Sequence, residues 1–321
     1  MHRGDLLNTV IHLVDSIEYA NSNCFQHQLT RALQHQPNIR TVSLDAVASL
    51  PYTFDRVACC LKQRTLHKHA EGLSRWLGRV PVICYDQDPW EAFREGSPYK
   101  GTYENVMKHL NVEAFAVTTQ LWAGFLTHRS IPSTFVSMWV MPEYCDKGPT
   151  YEDRPVKLGF IGTLHPYRQA LVDELESKHG LLVNVQSGNT LPYPQYLKAL
   201  QNIQVFIHGE DFPMVVDQGA MNLSDGLWIK DIEAASQGCF SIRNHGAGSG
   251  SYFSGFPVAS DGLGLLRTYR DVSDVPRILE GIERMDEAER QDLIDRTVHY
   301  IRLSDRWQET AATLTMGQGT R

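Results

Sequence analysis

Five short segments carry residue types that could do chemistry. Asp86-Gln-Asp88 sets two carboxylates two residues apart at the end of an apolar run. Such a pair could hold a divalent cation with hard oxygen ligands. One member could instead take a proton from a hydroxyl as a general base, or either could cap the helix that follows. Of the two, Asp86 directly ends the apolar run and is the first choice. Lys230-Asp-Ile-Glu233 puts a cation and an anion three residues apart, on one face of a helix. A carboxylate there can accept both hydroxyls of a ribose while the lysine reaches a phosphate; a surface ion pair is the plainer reading. Gly162 and Thr163 follow the run Gly159-Phe-Ile, and Pro166 and Arg168 come next. Glycine allows close backbone approach, a helix start offers free N–H groups to an anion, and Arg168 adds a guanidinium fork. His208 heads the polar string His208-Gly-Glu210-Asp211 and could contact a nucleobase or a phosphate. Asp225 lies eight residues before Glu233. Two weaker signals are the glycine-rich stretch 245–251, whose N–H groups could cradle phosphate or merely form a surface loop, and residues 21–23 (Asn-Ser-Asn).

The elements that must position these residues alternate. Apolar, β-rich runs at 9–14, 40–44, 56–61, 80–85, 114–118 and 135–139 read as strands, and 25–34, 67–77 and 121–128 as helices between them. A polar, turn-rich stretch at 146–155 interrupts the pattern, which then starts afresh. Strands are predicted at 156–161, 182–186, 205–208 and 239–242, helices at 167–178, 193–201 and 228–236, and a helical run over 275–312. Strand–helix alternation argues for parallel sheets covered on both faces. Ligands bind beyond the carboxyl ends of such strands, which is where the five segments fall.

With 321 residues the chain is long enough for two domains. A hydrophobic fraction of 42% and a charged fraction of 21% are ordinary for a globular protein. The formal net charge of −7 does not suit non-specific binding to a phosphate backbone, so a nucleic-acid partner is not expected. The six cysteines, Cys24, Cys59, Cys60, Cys84, Cys145 and Cys239, contain no C-x-x-C pair, so a structural zinc site is not expected and a reducing cytoplasm is. The N-terminal stretch lacks a secretory pattern, and no apolar run approaches the ~20 residues of a membrane span. The expected setting is the cytoplasm, with a peripheral visit to a membrane surface left open.

Glu233-Ala-Ala-Ser-Gln-Gly238-Cys-Phe-Ser-Ile242 resembles the E-A-x-x-x-G-x-x-x-I segment of GT-B glycosyltransferases. Lys230-x-x-Glu233 is similar to the R-x-x-E of the branch related to the spore-maturation protein CgeB, with lysine in place of arginine. Gly159-Phe-Ile-Gly162-Thr163 with Arg168 resembles the opening of that group's C-terminal domain, and 268–312 its closing helices. The resemblance implies an α/β chain of two Rossmann-like parallel-sheet domains facing a cleft. Residues 1–150 would be the acceptor side and 151–300 the nucleotide-sugar side, with a C-terminal helix and tail at 301–321. It implies a metal-independent transferase moving a sugar from a nucleotide-diphosphate sugar to a hydroxyl of a small molecule, glycan or other acceptor, with no cofactor. Glu233 would bind the ribose, and Lys230 and Arg168 would neutralise the diphosphate, with Gly162, Thr163 and His208 completing the donor site. Asp225 stands where many members carry the first glutamate of E-x₇-E. Asp86 and Asp88 would serve the acceptor. Three alternatives remain: a GT-A-like transferase holding a metal on Asp86 and Asp88, a sugar-nucleotide epimerase, and a nucleotide-sugar-binding protein without activity.

Overall fold

The computed structural model describes residues 9–22, 24–49, 54–94, 96–186, 191–209, 213–216, 219–222, 229–244, 264–304 and 306–316. The chain divides into two compact units. One is Met1–Met138 with Met214–Ala220 and Arg306–Arg321; the other is Trp139–Pro213 with Met221–Asp305.

The first unit runs β1 (Val10–Val14), α1 (Ile17–Ser22), α2 (Cys24–Gln34), β2 (Ile39–Ser43), β3 (Arg56–Cys60), α3 (Gln63–Leu77), β4 (Val82–Asp86), α4 (Thr102–His109), β5 (Val112–Val117), α5 (Gln120–His128) and β6 (Ser133–Phe135). The six strands form one parallel sheet in the order β2-β1-β3-β4-β5-β6. Every residue of β1 is buried, as a strand covered on both faces requires. In α3, Leu66, Ala70, Leu73 and Leu77 are buried at helical spacing. Strand order reverses between β1 and β3, so their carboxyl ends open a crevice.

The second unit runs β7 (Val156–Ile161), α6 (Pro166–His179), β8 (Asn184–Gln186), α7 (Tyr193–Leu200) and β9 (Ile203–His208). A two-stranded ladder follows, β10 (Pro213–Val216) with β11 (Gly219–Asn222), of which Met214–Ala220 groups with the first unit; the second unit resumes with α8 (Ile229–Ser236), β12 (Phe240–Asn244), β13 (Leu266–Tyr269), α9 (Val275–Glu283) and α10 (Glu287–Leu303). Its five-stranded sheet, also parallel, has the order β13-β12-β9-β7-β8, with the reversal between β7 and β9. Arg154, 2% exposed, clasps the base of this unit. Its guanidinium donates to the carbonyls of Ile203 (2.9 Å), Lys147 (2.5 Å) and Gln237 (2.9 Å). The last helix, α11 (Arg306–Met316), belongs to the first unit, where it packs on α2, β3 and β4.

Several elements differ from the sequence expectation. The apolar run expected as a strand at 135–139 is instead a buried connection: Val136, Trp139, Val140 and Met141 are buried, while the edge strand is β6, three residues long. Helices α1 and α4 and the β10–β11 ladder were not expected. The helical run 275–312 is three helices, with breaks at residues 284–286 and at Ser304. No helix of the described residues is long and apolar enough to cross a membrane.

Candidate functional site

In the first unit, a cavity of about 350 Å³ lies at the carboxyl ends of β3 and β4. Its walls come from α1 (Tyr19), α2 (Gln26), the end of β3 and start of α3 (Cys60 to Arg64), and the end of β4 (Tyr85 to Asp88). Asp86 is held on all sides. Its Oδ2 accepts the Tyr103 hydroxyl (2.8 Å) and Gln63 Nε2 (3.1 Å), and its Oδ1 accepts the N–H of Asp88 (3.0 Å). Burial pushes its carboxyl above the usual range, and these hydrogen bonds oppose the shift. Asp88 accepts Gln87 Nε2 at 3.0 Å and the indole N–H of Trp90 at 3.4 Å. Burial, and then the neighbouring charge of Asp86, raises Asp88 to about 7.

Two amides complete the wall. Gln26, 3% exposed, donates Nε2 to the Cys60 carbonyl at 2.9 Å. Gln63 donates Nε2 to Asp86, so for both side chains an acceptor-only partner fixes which end is nitrogen. The Oε1 atoms of Gln26 and Gln63 are buried and have no hydrogen-bond partner among the described residues. Beside the start of α3, Asp15 accepts the Lys62 N–H at 2.8 Å and the Thr65 hydroxyl. The Lys62 ammonium lies 3.5 Å from the centre of the Tyr19 ring.

In the second unit, the reversal between β7 and β9 brings together most of the other residues picked out in the sequence. Gly162 follows β7 with φ +152°, and its N–H donates to Gln186 at 3.0 Å. A Cβ at this position would lie 2.6 Å from Lys230 Nζ, so the ammonium sits directly on the glycine turn, 5.3 Å from the centre of the Phe160 ring. Arg168, in the first turn of α6, is buried; Nη1 donates to the Thr163 carbonyl at 2.8 Å and the guanidinium stacks on Phe160 and Tyr167. It therefore braces the 162–165 turn as well as charging it. Glu233, 1% exposed, accepts the Tyr196 hydroxyl at 3.0 Å on Oε2, while Oε1 is buried without a hydrogen-bond partner among the described residues. Burial raises it to about 7, against the pull of the Tyr196 and Tyr193 hydroxyls and the Lys230 charge.

His208 ends β9 and is 1% exposed. Its Nε2–H donates to Asp231 at 2.6 Å, and Asp231 in turn accepts Ser241 Oγ and Arg243 Nη1, each at 3.0 Å. This buried network fixes the ring orientation. Asp231, Ser241 and Arg243 were missed in the sequence; register explains the meeting, since Arg243 lies opposite His208 across β12 and β9. Asp225, Asn23, Glu210, Asp211 and the stretch 245–251 lie outside the described residues. Among the described residues no group of three or more His, Cys, Asp or Glu side chains could hold a metal ion.

No family model and no curated protein matches the chain. Solved structures do. The trehalose-6-phosphate synthase OtsA aligns over 97% of this chain and 99% of its own, with 11% identity and a TM-score of 0.60. Anabaena HepE in complex with UDP-glucose aligns over 96% of each chain, with 9% identity and a TM-score of 0.58. An alpha-glucosyltransferase in complex with UDP-glucose and DNA containing an abasic site aligns over 96% of this chain and 99% of its own, with 8% identity and a TM-score of 0.58. These structures are of the GT-B class, so the GT-A-like alternative for Asp86 and Asp88 is not favoured. With two parallel-sheet α/β units matched along nearly its whole length, the chain has the GT-B fold.

Proposed function

We propose that the protein is a metal-independent glycosyltransferase that moves a sugar from a UDP-sugar to a hydroxyl of an acceptor. The observation that carries this reading is the meeting of Gly162, Lys230 and the Glu233 helix where strand order reverses between β7 and β9. A glycine turn under an ammonium is a site for a diphosphate, since backbone can approach and fixed positive charge answers the developing negative charge. Glu233 Oε1 is a buried acceptor awaiting a donor, which a ribose hydroxyl supplies. His208, Thr163 and Arg168 complete this donor side; Asp225 is kept in the proposal as a carboxylate near the sugar. UDP-glucose in two structural neighbours supports the choice of donor.

In the first unit, Asp88 is the better proton acceptor of the pair. Three hydrogen bonds occupy Asp86, whereas Asp88 has a pKa of about 7, matched to taking a proton near neutrality. The acceptor hydroxyl gives its proton to Asp88, its oxygen bonds the anomeric carbon, and the bond from that carbon to the diphosphate breaks. UDP leaves with the charge that Lys230 and the α6 turn stabilise. Cys59, Cys60, Cys84, Cys145 and Cys239 are buried free thiols, which supports a cytoplasmic setting.

Calorimetric titration with UDP and a panel of UDP-sugars, with and without EDTA, tests the donor site. Binding should be insensitive to chelator, and Glu233→Ala should weaken it by about 1–3 kcal/mol, the cost of leaving ligand hydroxyls without their partner. Unchanged affinity in that variant would move the donor elsewhere.

A further inference from the structure

Resting on the glycosyl-transfer reading, we infer that the cavity of the first unit takes a small, neutral, polyhydroxylated acceptor the size of one pyranose or cyclitol, and that Gln26 and Gln63 determine this specificity. Size comes first. A volume of about 350 Å³ is on the order of a dozen water molecules at their liquid volume, room enough for a single sugar ring with some solvent.

The polar lining then sets the chemistry. Gln26 Oε1 and Gln63 Oε1 are buried acceptors with no partner among the described residues, and each amide is locked in that sense by what its nitrogen already donates to. Such oxygens are left unsatisfied unless a ligand brings O–H or N–H groups to them. Asp88 adds a further acceptor on the same wall. A ligand rich in hydroxyls satisfies all of them, and Tyr85 and Tyr99 add aromatic carbon to the lining for its C–H groups. An anionic ligand fits less well. The Asp15 carboxylate lies beside the start of α3, the Lys62 ammonium is laid on Tyr19, and three carboxylates, Asp86, Asp88 and Glu91, face two cations, Lys62 and Arg64, around the cavity.

The test is saturation-transfer NMR and calorimetry on the full chain without donor. The probes are glucose, galactose, mannose and myo-inositol, set against glucose 6-phosphate and inorganic phosphate. At least one neutral probe should bind. Gln63→Leu and Gln26→Leu should each weaken it by about tenfold, the scale of one hydrogen bond to a buried acceptor, with UDP affinity unchanged. Gln63 sits at the start of α3, so its variant keeps the test open if Gln26→Leu fails to fold. Binding of phosphorylated probes alone, or neutral binding indifferent to both substitutions, would overturn the inference. UDP binding with no neutral probe bound overturns it and leaves the transferase reading standing. A bound sugar without UDP binding overturns that reading instead, and binding of neither overturns both.

Discussion

Asp86 and Asp88 show how two carboxylates two residues apart acquire different chemistry. Asp86 spends its lone pairs on Tyr103, Gln63 and the Asp88 N–H, which suits it to hold the strand end rather than exchange protons. Asp88 has longer partners, and burial with the neighbouring Asp86 charge raises it to about 7. Asp88→Asn should lower turnover by about 10²–10⁴-fold, the usual worth of a general base, with UDP-sugar binding nearly unchanged. In the wild type, kcat/KM should rise with pH through about 7 and then level, as Asp88 loses its proton. The same shift has a stability consequence. Asp88 and Glu233 bind protons more tightly folded than unfolded, so their contribution is full below the ordinary carboxylate range. It is lost as pH rises to about 7. Denaturant unfolding across this window should show stability falling with pH, and less steeply in Asp88→Asn and Glu233→Gln; an equal slope in all three proteins would rule out these groups as its source.

At the scale of elements, the Gly162 turn couples β7 to α8. A methyl group there would sit 2.6 Å from Lys230 Nζ, on a backbone with φ +152° that side chains rarely adopt. Gly162→Ala should therefore push the ammonium off the turn and weaken UDP by roughly tenfold or more, the scale of a charge-assisted hydrogen bond. Uridine, which has no diphosphate, should bind the variant as it binds the wild type, and calorimetry with both ligands separates the effects. The strands that frame this turn were legible because strands covered on both faces read as apolar runs. Helix α4 was not, because only Thr102, Tyr103 and Val106 of its eight residues are buried and Gly101 gives no side-chain cap. The run 135–139 misled for the opposite reason: Trp139 is buried outside any strand, with its indole N–H on the Ile301 carbonyl at 2.9 Å. Of the sites, the charged pairs were visible and their partners were not. Gln63 and Tyr103 reach Asp86 from 23 and 17 residues away, and Gln26 reaches Cys60 from 34. Such meetings are set by the order of strands, which local spacing does not encode.

At the scale of the whole molecule, the chain finishes its first unit last. Helix α11 lies beyond α10 in sequence, yet it packs on α2, β3 and β4. Trp307, Ala311 and Leu314 are each 0% exposed. Two hydrogen bonds fix its place within that unit, Gln36 Nε2 to Gln308 Oε1 at 2.9 Å and Thr310 Oγ1 to the Ser137 carbonyl at 2.8 Å. Strands β3 and β4 also carry the cavity walls, so the floor of the candidate acceptor site depends on a segment more than two hundred residues away in sequence. Trp307→Ala removes the largest of the buried side chains on α11 and should cost about 3–5 kcal/mol, as large aromatic truncations in cores do. That loss should be local. Hydrogen exchange should quicken in β1, β3 and β4 while β7, β9 and β12 keep their protection, because compact units can open as separate cooperative units. Acceptor-side binding should fall with the first unit's stability, and UDP binding to the second unit should persist. Uniform loss of protection in both sheets would mean that the two units unfold as one.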